Sequence, residues 1–342
     1  MTLDERDRKL LDMIQSEFPI EPRPFQALAE RAGGTEQEIL EHVLRLYHQG
    51  YIRELGAIFD LNRLGYMSTL CAARIAPEAV DSAATLINSF PEITHNYLRE
   101  HAFNIWFTVI ARSTNDIDKI LSRIQAHNGV AQVLSLPQRR TFKIKVHFPI
   151  GSASAPHSTQ TGLPSALTAS QPHSLTAFQD WEIRLIRVLS DPLPLTDHPF
   201  AAVAQHAEVL EELVLDRIRA WLADGVIRRF GARIAHHTAG YPANGMSVWK
   251  ASPAEEESAG RYMAAQPEVS HCYLRDTQPN WDYNLYAMIH GTDQAEVEAV
   301  AQRIADNTKI RDHTILFSVK ELKKTAPRYF NEQEPDEVPL VL

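Results

Sequence analysis

His95, Tyr97 and Arg99 alternate along one short segment, and His271, Tyr273 and Arg275 repeat the same order further on. If each segment is a strand, residues two apart share a face, so each triplet forms a row. An imidazole, a phenol and a guanidinium in one row do not suit a packed core, because burying an unpaired cation is costly. The row should line a polar cavity or a partner surface. Arginine presents a planar fork that matches a carboxylate. Histidine titrates near neutrality, so it can move a proton or ligate a metal as neutral imidazole. Tyrosine can donate a hydrogen bond or a proton. Together the three suit an anionic, metal-bearing ligand that undergoes proton chemistry. A solvated sheet face with three chance polar residues would explain one triplet; it explains two matching triplets poorly.

An anionic ligand needs a local basic pocket, and the candidates are Arg53, Arg99, Arg139, Arg140, Lys143, Lys145, Arg228, Arg229 and Arg275. The run from Arg139 to Lys145 reads equally well as a solvated strand face. Phe103, Trp106, Trp281 and Tyr286 are candidates for apolar walls, although aromatics on strands are usually core. Cys272 lies between His271 and Tyr273 and so faces the other side of its strand. Cys71 reads as a small buried hydrophobe. The adjacent pair His236-His237 is poorly spaced for one ion and reads as a surface loop. The chain has no G-x-G-x-x-G, P-loop, C-x-x-C or H-E-x-x-H.

The elements that must position these rows occur twice. Residues 151–174 contain no Asp, Glu, Lys or Arg and six serines, the composition of a flexible linker. A 24-residue linker spans roughly 27 Å. GYIRELGA at 50–57 answers GVIRRFGA at 225–232, and FPEITHNYLRE at 90–100 answers QPEVSHCYLRD at 266–276. NIWFTVI at 104–110 answers NLYAMIH at 284–290 after a four-residue insertion near 279–282. Ordered matches at nearly constant offset mean a duplicated domain pair. In copy one, three helical patterns open the chain, with capping boxes at Thr2–Glu5 and Thr35–Glu38 and a stop at Gly50. Residues 51–59 read as an extended wing, which completes a winged helix-turn-helix. Strand and helix patterns then alternate as βαββαβ, the ferredoxin-like order. The expected class is α+β. Its domains are a winged helix (1–66), βαββαβ (67–150), linker (151–174), a second winged helix (175–243), a second βαββαβ (244–330) and a tail (331–342). Two fused copies could pair their sheets as an internal pseudo-dimer.

Composition narrows the function. The 342 residues suit about two domains' worth of chain at ~150 residues each. Lys plus Arg is 34 and Asp plus Glu 43, a net charge of −9 that disfavours a general nucleic-acid coat. With 44% hydrophobic residues the chain is too apolar to be disordered. Two cysteines exclude a disulfide scaffold and suit a reducing cytosol. The first residues are charged from position 4, unlike a signal peptide, and no apolar run reaches the ~18 residues of a membrane span. A cytoplasmic protein without membrane contact is expected.

A winged helix followed by βαββαβ resembles the Lrp/AsnC family of transcription regulators. The would-be recognition helix, however, carries Glu36, Glu38 and Glu41 against Arg45. Residues 208–224 carry five acidic side chains against Arg217 and Arg219. Phosphates repel such helices, so DNA is not the expected partner. HNYLREH followed by NIWF, and HCYLRD followed by PNWDYNLYAMIHG, resemble the two subunit types of siroheme decarboxylases, which belong to the same structural class. The resemblance spans both halves, all but the linker and tail. It implies removal of the C12 and C18 acetate carboxylates of siroheme, giving 12,18-didecarboxysiroheme and CO2 in haem d1 or alternative haem synthesis. No cofactor is implied beyond the iron of the substrate. The implied catalytic residues are His95, Tyr97, His101, His271 and Tyr273. The implied substrate contacts are Arg53, Arg99, Trp106, Arg228, Arg275, Trp281, Tyr283 and Asn284, and His95 and His271 are candidates for axial iron ligands. Where copy one has His101, copy two has Thr277, so the two sites are not expected to be equivalent. A homodimer and homologous partner subunits follow by analogy with the class. Two other readings remain: a DNA-binding regulator sensing a small effector, which needs a basic helix face, and a non-catalytic tetrapyrrole-binding protein.

Overall fold

A computed structural model describes residues 3–144, 177–234 and 243–331. The linker, Lys145, His236-His237, Thr2 and residues 332–342 lie outside the described residues. Copy one runs α1 (Glu5–Ser16), α2 (Pro24–Ala32), α3 (Glu36–His48), β1 (Ile52–Phe59), β2 (Met67–Ile75), α4 (Val80–Ser89), β3 (Ile93–Arg99), β4 (Ile105–Ala111), α5 (Thr114–Gln125) and β5 (Val130–Ile144). Copy two repeats it as α6 (Asp180–Leu189), α7 (Pro199–Ala207), α8 (Glu211–Asp224), β6 (Ile227–Ile234), β7 (Ala243–Trp249), α9 (Glu256–Ala265), β8 (Val269–Arg275), β9 (Leu285–Gly291), α10 (Gln294–Thr308) and β10 (His313–Lys324).

Local chemistry accounts for most boundaries. Thr35 and Glu38 cap α3 reciprocally, as their spacing predicts. The cap of α1 differs from expectation: the side chain of Asp4, not Thr2, accepts the N–H of Asp7, and the Asp7 side chain accepts that of Asp4. Gly50 and Gly225, both at φ +76, let the chain leave α3 and α8 in the left-handed region.

The predicted wing is not a separate unit. β1 pairs antiparallel with β6 of the other copy, with Gly56 opposite Gly231, so one two-stranded sheet joins both helix-turn-helix units. Gly231 is needed for space: a Cβ there would meet Ile14 O at 2.6 Å and Gln15 O at 2.8 Å. Gly231→Ala should therefore lower stability by about 1–3 kcal/mol in a denaturant titration. Gly56→Ala, whose Cβ would lie 3.7 Å from its nearest neighbour, should cost little. Equal effects at the two positions would contradict this packing account.

The remaining strands close into one barrel, in the order β10-β3-β4-β2-β5-β8-β9-β7. Each copy contributes four consecutive strands, and the copies meet at two antiparallel seams, β3 with β10 and β5 with β8. This is the internal pseudo-dimer. Outside, α4 and α5 cover one half of the barrel and α9 and α10 the other, each over its own apolar cluster. Cys71 and Cys272 lie in those outer clusters, away from the lumen. Among the described residues no helix is long and apolar enough to cross a membrane.

Candidate active site at the barrel seams

Strand registers fix which side chains face the lumen. Tyr97 stands opposite Trp106, which stands opposite Ala72, which stands opposite Leu134. In copy two Tyr273 stands opposite Tyr286, and Tyr286 opposite Val248. Ala72, Trp106, Leu134, Val248 and Tyr286 belong to one buried cluster inside the barrel. Both polar rows therefore point into a single lumen, one at each seam.

The arginines are the most telling members. Arg99 is 5% exposed, and its guanidinium donates to the carbonyl of Leu316 on β10. Arg275 donates to the carbonyl of Leu136 on β5 at 2.9 Å. In both, the buried Nε has no hydrogen-bond partner. Each cation stacks on a tyrosine of its own row, at 5.6 Å for Arg99 on Tyr97 and 5.0 Å for Arg275 on Tyr273. Burial pulls the Arg99 guanidinium down to about 10 and lowers that of Arg275, while the neighbouring phenols oppose the shift. Two desolvated cations without a carboxylate partner among the described residues make a receptor for carboxylates.

The histidines sit nearer the helix-turn-helix end. Their ring planes lie close to parallel with the tyrosines: His95 with Tyr97 at 6.5 Å and 27°, His271 with Tyr273 at 6.1 Å and 30°. Burial holds both imidazoles neutral down to about 4. The cations of Lys324, Arg53 and Arg233 push His95 further the same way, and Lys143 does so for His271. The unfolded chain would protonate them near 6.5, so it binds more protons than the native state between those values. Stability is thus complete above about pH 6.5 and falls as the pH drops towards 4. Between pH 6.5 and 5 the loss should be roughly 2 kcal/mol per histidine. Urea titrations of the wild type and of His95→Asn/His271→Asn would show it; equal pH slopes in the two proteins would refute it.

The two seams differ in charge. Lys324 and Glu321 face His95 and Tyr97, whereas Ile144 and Thr141 occupy the equivalent places facing His271 and Tyr273. The Tyr97 hydroxyl donates to Glu321 at 3.3 Å, and Arg53 pairs with the same carboxylate at 3.3 Å. Arg228 pairs with Asp60 at 2.8 Å. Arg233, which acts on His95, and Arg228, which acts on Tyr273, both line a cleft of about 190 Å³ that also includes Ile58, Ile110 and Tyr329. Arg233, Lys324 and Glu321 were not singled out from sequence. They come from other elements, and only the pairing of β1 with β6 and of β3 with β10 brings them in.

Several expected site residues lie elsewhere. His101 follows the end of β3, where its Nδ1 accepts the Phe103 N–H at 3.0 Å and its ring meets Trp281 edge-on at 5.5 Å. His95 and Arg99 are four residue steps apart along the strand, about 13 Å, and His101 lies beyond Arg99, so His101 does not share a reacting atom with His95. Trp106 and Trp281 fill the lumen rather than wall an open pocket: they are 1% and 2% exposed, 5.1 Å apart, and their indole N–H groups donate to Phe103 O and the Tyr286 hydroxyl. Asn284 is a backbone clamp, accepting the Ala251 N–H and donating to Ala251 O, both at 2.9 Å. Asn104 does the same to Ile75 in copy one. Tyr283 packs on Trp281 and is raised by burial and by Asp312, outside the two rows. Arg139 and Arg140 pair with Glu256 and Glu257 on α9, and Arg229 donates to the carbonyls of Gln15 and Ala232. Those three arginines leave the basic pocket because of where they lie: Arg139 and Arg140 turn outward to α9, and Arg229 stands on β6, outside the barrel.

The class that this fold and site define is a duplicated helix-turn-helix joined to an AsnC-like ligand-binding domain. The model of the AsnC-like ligand-binding domain matches residues 63–143 and 238–323, and that of the siroheme decarboxylase NirDL-like HTH domain matches 7–53 and 182–228. The chain belongs to the siroheme decarboxylase family. It is 32% identical to a siroheme decarboxylase of Hydrogenobacter thermophilus over 95% of both chains. It is 36% identical to a siroheme decarboxylase NirDL subunit of Paracoccus denitrificans, covering 94% of this chain and 96% of that one. A crystal structure of the siroheme decarboxylase NirDL in co-complex with an iron-uroporphyrin III analogue superposes with a TM-score of 0.72 at 29% identity, covering 96% of this chain and 95% of that one.

Proposed function

We propose that this chain decarboxylates siroheme, removing the acetate carboxylates at C12 and C18. One observation carries the reading at this site: two buried guanidinium groups, Arg99 and Arg275, aim into one lumen without a carboxylate of their own. A polycarboxylate supplies the missing partners. Around the mouth Arg53, Arg228, Arg233 and Lys324 outnumber by one the carboxylates that pair with them, Glu321, Asp60 and Glu54, a local surplus in a chain of net charge −9. His271 is the proton donor to the carbon that loses CO2, with Tyr273 beside it. His95, neutral and flanked by cations, faces the siroheme iron. The reaction draws on no further cofactor. The cleft is smaller than the ~300–1,000 Å³ of ordinary ligand pockets and neither row lines it, so seating a tetrapyrrole against both rows requires residues 326–329 or the β1–β6 sheet to move and the aromatic filling of the lumen to rearrange.

DNA is not part of this reading, since Arg45 of α3 is tied to Asp7 beside a row of glutamates. A homodimer of fused chains, in the cytoplasm, is. Anaerobic incubation with siroheme followed by mass spectrometry tests the activity. Loss of one and then two CO2 masses is expected. Unchanged siroheme with a shifted absorption spectrum would instead favour a tetrapyrrole-binding protein, and neither change would overturn the reading.

A further inference from the structure

We propose that the Tyr329 hydroxyl and the Arg228 guanidinium form a subsite for one carboxylate arm of the substrate, in the cleft at the barrel mouth. The inference rests on the siroheme reading and says where one of the carboxylates that the reaction spares is held. Tyr329 belongs to the segment that follows β10. It is 3% exposed, and its ring packs edge-on against Phe59 and Tyr66, at 5.6 and 5.3 Å. Its hydroxyl nevertheless makes no hydrogen bond to a described residue, and Tyr329 lines the cleft together with Arg228 and Arg233. A phenol buried to this degree ordinarily has a partner. Here the partner is a ligand group.

The groups around the hydroxyl select an anion. Burial raises the Tyr329 phenol, so at neutral pH it keeps its proton and donates a hydrogen bond. Arg228 spends its Nε on Asp60, at 2.8 Å, and its two Nη groups make no hydrogen bond to a described residue. Arg233, paired with Glu54, adds a second positive charge. Ile58 and Ile110 give the cleft an apolar wall. A hydroxyl donor, a free guanidinium edge and an aliphatic wall together match a carboxylate on a short hydrocarbon stem. The volume of about 190 Å³ admits such an arm and excludes the macrocycle. Arg233 acts on His95 and Arg228 on Tyr273, so the cleft lies within reach of both rows. No histidine lines it, and the phenol holds its proton firmly, so an arm placed there is bound and not decarboxylated.

The phenol is held in place before any ligand arrives. Arg328 pairs with Asp191 at 2.8 Å, the Phe330 N–H donates to the Tyr66 hydroxyl at 2.6 Å, and Arg187 Nε donates to the Phe330 carbonyl at 2.9 Å. On the other side the Thr325 N–H donates to the Thr94 carbonyl at 2.8 Å. Ala326 and Pro327 lie between these ties and make no hydrogen bond to a described residue, so they can give way to a macrocycle while Tyr329 stays. The arginine side of the subsite is not duplicated. In the repeat Arg53 answers Arg228 and Ile58 answers Arg233. Glu321 occupies Arg53, and an isoleucine carries no charge. An arm pinned on one side only makes the macrocycle enter one way round, which two nearly identical rows would not decide by themselves.

Tyr329→Phe removes the hydroxyl and keeps the ring. Anaerobic absorption titration should show the dissociation constant for siroheme rising about tenfold. The midpoint of thermal unfolding without ligand should not fall, because the hydroxyl has no protein partner to lose. Unchanged affinity overturns the subsite. A lower midpoint together with the weaker binding also overturns it, since the hydroxyl would then serve the packing. Propionate separates an arm of the substrate from a free small acid. If millimolar propionate raises the midpoint of the wild type but not of Tyr329→Phe, while siroheme binds both equally, the cleft takes a free acid and the assignment to the substrate falls. A wild type that neither shifts the siroheme spectrum nor releases CO2 overturns the siroheme reading itself, and it does so before any variant is made.

Discussion

His271→Ala should slow siroheme decarboxylation by about 10²–10⁴-fold, the usual worth of a positioned general acid. The absorption spectrum of bound siroheme should hardly change. His95→Ala should do the reverse to the spectrum, shifting it, if that imidazole faces the iron as proposed. The contrast follows from the seams. His95 lies among Lys324, Arg53 and Arg233, which suit the holding of anions, while the seam of His271 has Ile144 and Thr141 in the matching places. Single-turnover kinetics with anaerobic spectra would measure both. Full decarboxylation in both alanine variants would remove the histidines from the chemistry altogether. An unchanged spectrum in His95→Ala would remove that residue from the iron.

Arg99→Met and Arg275→Met should move affinity and stability in opposite directions. Each arginine is desolvated, keeps one carbonyl contact and has an orphaned Nε. Replacing such a buried cation with an apolar side chain of similar length is neutral or stabilising by about 1–4 kcal/mol in the unliganded protein. In the complex each change should cost about 2–5 kcal/mol, since a substrate carboxylate loses its charge-assisted partner inside a dry lumen. That corresponds to a loss of about 30-fold or more in affinity. Thermal unfolding without ligand and siroheme titration with ligand give the two numbers. A fall in both would mean that the arginines are structural. Lysine at either position should rescue poorly, because a point charge on a flexible stem does not reproduce the planar fork.

Much of this site was legible before any coordinates. The alternation of His95, Tyr97 and Arg99 identified a face, and β3 presents that face to the lumen. The repeated triplet identified its twin, and Cys272, one residue out of phase, is buried on the far side. Asn284, expected as a substrate contact, had a signal of its structural part in the repeat itself, since Asn104 stands at the matching place. Both copies keep the amide at the start of the same strand whatever surrounds it, which suits a shared backbone clamp better than a role in one site. The error over Trp106 and Trp281 had no such signal, because aromatic residues on an inner face look alike whether they line a void or fill one.

The sequence by itself determined the duplication, the order of elements in each copy, the faces of the strands and the residue types available for chemistry. These follow from periods of two and of three to four residues, which local sterics set within a few residues of chain. Tertiary structure alone decided which strands meet. Closing β3 on β10 places Glu321 and Lys324 beside Tyr97 and His95, and closing β5 on β8 places Thr141 and Ile144 beside Tyr273 and His271. Those pairings join residues more than a hundred positions apart, and periodicity says which face a side chain takes but not which strand will lie next to it. Two nearly identical rows thus acquire different surroundings from distant parts of the chain, and it is those surroundings, not the rows, that make the two halves chemically unequal.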